Sequence, residues 1–246
     1  MASTDSDGFG AARRGPPWRG LAALRRLLAP RCVVCDLDEG DPLCPGCAAD
    51  YFAVDVPRCT SCALRLPAAR SGERCGNCLR SPPRFDGTVA LADYAPPLDR
   101  MIAALKFGGR LPLAGAFGSL LARAAATVLP DADAICPVPL AFERQSARGF
   151  NQSQEIARQV AAESGRPLRT DVLLRTRHTS AQMELALDER RRNVRGAFVA
   201  RGRLAGMRVA VVDDVMTTGA TLDEVAAALK AAGAARVTGL VVARTA

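Results

Sequence analysis

The chain has 246 residues, with 33 Lys+Arg against 25 Asp+Glu, nine cysteines and one histidine. Its 49% apolar share excludes a disordered chain, and the single histidine excludes a His-rich metal site. The longest apolar stretches are broken by Arg123 and by Asp213-Asp214, short of the roughly 18 residues a membrane span requires.

The elements follow in chain order. Residues 1–17 predict a disordered tail. Asp5 and Asp7 precede its arginines and no uninterrupted apolar core follows, which argues against a secretory signal and for a cytoplasmic protein. Residues 18–28 predict a short packing helix with Leu21, Leu24, Leu27 and Leu28 on one face. It opens a module over 18–84 that holds four C-x-x-C pairs: Cys32/Cys35, Cys44/Cys47, Cys59/Cys62 and Cys75/Cys78. Each pair sets two thiolates on one side of a metal, and two pairs complete a tetrahedral Cys₄ zinc site. Four pairs predict two structural Zn²⁺. Sequential and crossed pairings both suit the spacing. A disulfide framework needs an oxidising compartment, and a redox function needs only one pair. Few large apolar groups are available here, so the metal must supply the stability of the module. Ligation by eight thiolates also cancels much of its positive charge.

After Pro82-Pro83 the pattern changes, and 85–246 predicts one α/β domain with a mostly parallel sheet. Strands are expected over 89–93, 134–138, 208–212 and 237–242. Helices are expected over 98–106, 113–129, 153–163 and 221–232. Cys136 reads as a core thiol. Lys106, one of two lysines, either caps the C-terminus of its helix or reaches a site.

The most informative stretch is Val211-Val212-Asp213-Asp214-Val215-Met216-Thr217-Thr218-Gly219-Ala220-Thr221. It predicts a buried strand ending in two carboxylates, then a hydroxyl-rich loop, then a helix. Loop amides and a helix N-terminus can cradle a phosphate. Gly219 allows close backbone approach. The two acids repel phosphate and suit sugar hydroxyls. The stretch resembles the signature of type I phosphoribosyltransferases that binds 5-phosphoribosyl 1-pyrophosphate (PRPP). The resemblance implies that Asp213 and Asp214 hold the ribose hydroxyls, and that Thr217, Thr218, Gly219, Ala220 and Thr221 hold the 5-phosphate.

Further segments resemble one branch, the competence protein F (ComF) family. They are the cysteine module, Asp93-Tyr94, Pro97-Leu98, Leu105-Lys106-Phe107, Pro137-Val138-Pro139-Leu140, and Arg148-Gly149-Phe150-Asn151-Gln152. Thr179, Gln182, Arg190, Asn193, Gly196, Ala197 and Phe198 complete the set. The implied fold is a type I phosphoribosyltransferase domain with a flexible hood loop and an N-terminal double zinc ribbon. The implied pyrophosphate loop comprises Pro139 and Leu140 with Arg144 and Arg148, and arginine suits bidentate phosphate contact. Asn151 or Ser153 can cap the following helix. Mg²⁺ is implied with PRPP.

Residues 166–208 hold 11 basic and 4 acidic residues, nearly all of the net +8. Within them, residues 176–196 match the position of the hood loop, which closes over bound PRPP in the family. His178 lies there and reads as a solvated loop residue. The resemblance implies a PRPP-binding protein acting in DNA uptake and natural transformation, with single-stranded DNA or DNA-uptake helicase proteins as partners. The alternatives are an active phosphoribosyltransferase on an unknown nitrogen acceptor and a non-catalytic zinc-ribbon adaptor.

Overall fold

The computed structural model describes residues 31–37, 40–52, 56–176 and 194–246. The expected helix over 18–28, His178, and most of the expected hood therefore lie outside the described residues.

A four-stranded parallel sheet forms the centre, in the order β1-β6-β5-β2. Its strands are β1 (Gly87–Asp93), β2 (Ala134–Pro137), β5 (Arg208–Met216) and β6 (Arg236–Arg244). The two inner strands carry near-continuous apolar runs, as burial on both faces demands. A separate antiparallel pair, β3 (Leu173–Arg175) with β4 (Phe198–Ala200), brackets residues 177–193.

Alternate residues of the sheet enter two cores. Leu91, Ile135, Ala210, Val212 and Leu240 face the helices α3 (Leu98–Gly108), α4 (Pro112–Ala124) and α6 (Gln152–Ser164). Ala90, Cys136, Val209, Val211 and Val241 face α7 (Ala220–Ala231) and the β3–β4 pair. The cysteine module divides between them. Cys32, Cys44, Cys47 and Phe52 join the first core, while Cys59, Cys62, Cys75 and Cys78 join the second. Its short helices are α1 (Pro45–Tyr51) and α2 (Gly76–Arg80).

Two expectations are corrected, and one element is added. The helix expected over 113–129 stops at Ala124, and a turn leads to a 3₁₀ segment at Leu129–Asp131. β-Branched Thr127 and Val128 and then Pro130 cannot extend it. The strand expected to end at Val212 runs on to Met216, because β6 continues beside it with Asp213 opposite Val241 and Met216 opposite Arg244. The acids therefore sit inside the strand, not at its tip. An additional short helix, α5 (Phe142–Arg148), closes at Gly149, whose φ of 80° suits glycine.

Candidate functional site

The site lies at the C-terminal ends of β5 and β2, which pair in parallel. In open α/β sheets this edge is where ligands bind. Beyond Met216 the chain turns through Thr217, Thr218 and Gly219 into α7. Gly219 holds φ at 80°, and a Cβ there would stand 2.7 Å from Met216 Cε. The Thr218 hydroxyl accepts from the Ala220 amide at 3.2 Å. Thr217, Thr218 and Thr221 are half-buried.

The two acids are held differently. Asp213 accepts from Ser153 Oγ at 3.0 Å and from the Asp214 amide at 2.9 Å. Asp214 accepts from the Val215 amide at 2.8 Å and from Gln152 Nε2 at 3.3 Å, and forms an ion pair with Lys106. Burial, reinforced by the neighbouring Asp214 charge, pushes the Asp213 carboxyl up to about 7. The open choice for Lys106 is thereby settled: its ammonium reaches the acidic pair.

The expected pyrophosphate loop follows β2. Val138 is tied by its amide to the Val212 carbonyl at 2.9 Å, and its own carbonyl accepts from Asn151 Nδ2 at 3.0 Å. Asn151 is also the cap of α6, accepting from the Ser153 amide at 3.0 Å. Pro139 and Leu140 are half-buried beside this loop. Arg148 donates to Gln152 and lies over the Phe107 ring, 5.5 Å from its centroid. Burial lowers the Arg148 guanidinium from its ordinary value; Asp214 opposes this and Arg144 adds to it. Arg175 is lowered likewise by burial and then by Arg144, with Asp213 and Glu143 opposing. The fold thus gathers Lys106, Arg148 and Arg175 around Asp213 and Asp214, with Arg144 near the two arginines. Ser153 was foreseen only as a cap, and Gln152 and Arg175 carried no site signal. Arg175 sits in a three-residue strand of ordinary composition, and only the sheet geometry brings it here.

The arrangement of the cysteine sulfurs resolves the pairing question. Cys32, Cys35, Cys44 and Cys47 form one cluster, and Cys59, Cys62, Cys75 and Cys78 the other. Within each, the sulfurs lie within 4.8 Å of one another. Cys35 and Cys44 sulfurs are 3.6 Å apart, and those of Cys62 and Cys75 are 3.7 Å apart. A tetrahedron with Zn–S near 2.3 Å has edges of about 3.8 Å, so the donor set fits the ion. Burial raises Cys32, but the amides of Cys44, Cys35 and Val34 outweigh it and bring the thiol to about 6. At Cys59 burial is likewise outweighed by the amides of Cys62, Cys75 and Ser61, giving about 7. One thiol of each cluster is thus held down, whereas burial and then the neighbouring cysteines push Cys47 and Cys78 up, so a bound cation must supply the charge that lets all four become thiolates. Burial pushes the ninth thiol, Cys136, up to about 12, as befits a core side chain.

A strand-embedded acidic pair running into a threonine-glycine loop and a helix, on a parallel sheet, defines a phosphoribosyltransferase domain. The phosphoribosyl transferase domain family matches residues 115–246, and the double zinc ribbon domain family matches residues 23–79. The chain belongs to the ComF family of such proteins. It is 38% identical over 190 residues to "DNA utilization protein YhgH" of Escherichia coli K12, covering 74% of this chain and 82% of that one. It is 32% identical over 214 residues to "Competence protein F" of Haemophilus influenzae, covering 82% and 92%. Similarity to "Competence protein ComFC" of Bacillus subtilis is 27% over 133 residues, 52% of each chain. Among the described residues, no helix is long and apolar enough to cross a membrane.

Proposed function

We propose that this chain binds PRPP together with Mg²⁺ at the C-terminal end of β5 and serves DNA utilisation in the cytoplasm. The observation that carries the reading is the continuity of Asp213-Asp214 with the Thr217–Thr221 loop at the N-terminus of α7. The carboxylates accept from the ribose hydroxyls. Loop amides and the hydroxyls of Thr217, Thr218 and Thr221 hold the 5-phosphate, with Gly219 and Ala220 keeping the approach open. Arg144 and Arg148, beside Pro139 and Leu140, attract the pyrophosphate. Bound Mg²⁺ neutralises pyrophosphate charge. Supporting the DNA role are the names of the relatives, which describe DNA utilisation and competence.

Addition of Mg²⁺-PRPP to the zinc-loaded protein raises its melting temperature in a concentration-dependent way. Absence of any shift removes the PRPP reading. Turnover is a separate question, and pyrophosphate release measured across a panel of nitrogen bases decides it. The acids favour positive charge developing at the ribose, and the arginines favour the leaving group, which is the charge pattern that displacement at C1 requires. For DNA, the basic stretch 166–208 binds single strands weakly and with strong salt dependence. Reversal of Arg190, Arg191 and Arg192 to Glu abolishes that binding; retention of affinity places the contact elsewhere.

A further inference from the structure

We infer that Arg244 is a positioning residue, which pins the phosphate loop in its receptive form and ties that form to the second zinc ribbon. The identity of the ligand rests on the PRPP reading above; the loop contact does not.

Arg244 ends β6 and is 7% exposed. Its Nε donates to the Cys62 carbonyl at 2.8 Å. Its Nη1 donates to the carbonyls of Met216, at 3.4 Å, and Thr217, at 2.5 Å, and also reaches the Thr245 carbonyl. Cys62 is a member of the second cysteine cluster, and Met216 and Thr217 open the loop. One buried guanidinium therefore bridges the ribbon and the loop.

The consequence follows from peptide geometry. In a trans peptide the C=O and N–H point in opposite directions. A Met216 carbonyl turned toward Arg244 turns the Thr217 amide away from it. The Thr217 carbonyl does the same for the Thr218 amide. Both amides are thereby presented from the face opposite the guanidinium. Loop carbonyls facing an anion would repel it; Arg244 holds that of Thr217 out of the way, and the Thr245 amide, at 3.1 Å, shares with Arg244 the hold on that of Met216. Its fixed charge behind the loop also favours a phosphate dianion in front.

Two more contacts join the ribbon side to the same turn. Arg84, which follows the ribbon, pairs with Asp223 at 2.8 Å and Glu224 at 2.5 Å in the first turns of α7. The Phe85 ring lies 3.6 Å from the place a Cβ on Gly219 would occupy. Arg58 anchors the ribbon to Asp93 at the end of β1, at 2.6 Å. The second ribbon thus forms the support of the loop, and its integrity governs how the loop is held.

The test is Arg244→Lys, which keeps the charge and removes the fork. We expect the variant to retain both zinc ions and unfold cooperatively. Amide exchange of residues 217–221 accelerates at least about tenfold, and the Kd for Mg²⁺-PRPP rises at least about tenfold. Exchange at the wild-type rate in the zinc-loaded variant overturns the inference; so does faster exchange with unchanged affinity. If the wild-type protein itself ignores Mg²⁺-PRPP, the PRPP reading falls, and the exchange comparison alone decides the role of Arg244. Should the variant fail to fold, the wild type under a brief chelator pulse supplies the measurement. The peptide covering 217–221 must then lose protection together with the peptide covering 59–78. A loop that stays protected after the ribbon has opened overturns the inference.

Discussion

Lys106, in the last turn of α3, forms an ion pair with Asp214 in β5. The side chains are 21% and 8% exposed, so neither charge is free to exchange the other for bulk water. Lys106→Met leaves a buried carboxylate without its cation and should cost about 3 kcal/mol of stability. In an Asp214→Asn background the same substitution should cost far less. The difference, read from denaturant midpoints, measures the coupling, and additive effects would show that the pair does not contribute.

The two cysteine clusters predict about two zinc atoms per chain by elemental analysis. Cys35→Ser should lower the content to about one and loosen only the first core. Cys75→Ser should also lower it to about one but weaken Mg²⁺-PRPP binding as well, as the proposed support of the Thr217–Thr221 loop by its cluster requires. A protein purified without any zinc would overturn both statements.

Asp213 has a definite pH signature. Its folded value, about 7, lies above the ordinary 3.8. The folded state therefore holds a proton that the unfolded state has released between those values. Its stabilising contribution is greatest at low pH, falls as pH rises toward 7, and is level beyond. Comparison with Asp213→Asn isolates this one group. The stability of wild type relative to the variant should fall between about pH 4 and 7, most steeply in the middle of that window, with a slope of up to about 1.4 kcal/mol per pH unit. A pH-independent difference would place the Asp213 titration outside this range. Because ribose hydroxyls need an ionised acceptor, Mg²⁺-PRPP affinity should weaken as pH falls through the same window.

Gly118 sets the approach of α4 to α6. A Cβ there would stand 2.5 Å from Gln159 Cβ and 2.9 Å from the Ile156 carbonyl. Backbone and Cβ atoms cannot swing aside, so Gly118→Ala must push the helices apart. The gain in helix propensity offsets part of the strain, leaving a net loss of about 1–2 kcal/mol. An unchanged or raised melting temperature would show that the helices adjust freely.

Much of the site was legible because its chemistry is contiguous. The run from Asp213 to Thr221 shows its own architecture, since acidic strand, loop and helix follow one another without interruption. The C-x-x-C turns are equally local. The end of β5 is not legible locally, because charged residues ordinarily terminate a buried strand. Here β6 extends beside them, and Lys106, Gln152 and Ser153 satisfy their charge. The end of α4 at Ala124 is likewise masked in the sequence, because alanine-rich periodicity continues up to the β-branched pair and Pro130.

The chain's own order specifies two local patterns: eight cysteines in turns suited to a metal, and an acidic strand that runs into a threonine-glycine loop. Spacing along the chain encodes both, because the groups concerned lie within a few residues of one another. Only the tertiary structure decided which cysteine pairs meet, that the two clusters join different cores, and that Lys106 and Arg175 reach the acids. It also decided that Arg244 binds Cys62 and the loop at once. Those contacts join residues far apart in the chain. They arise from the packing of parallel strands and their crossovers, which no local pattern records.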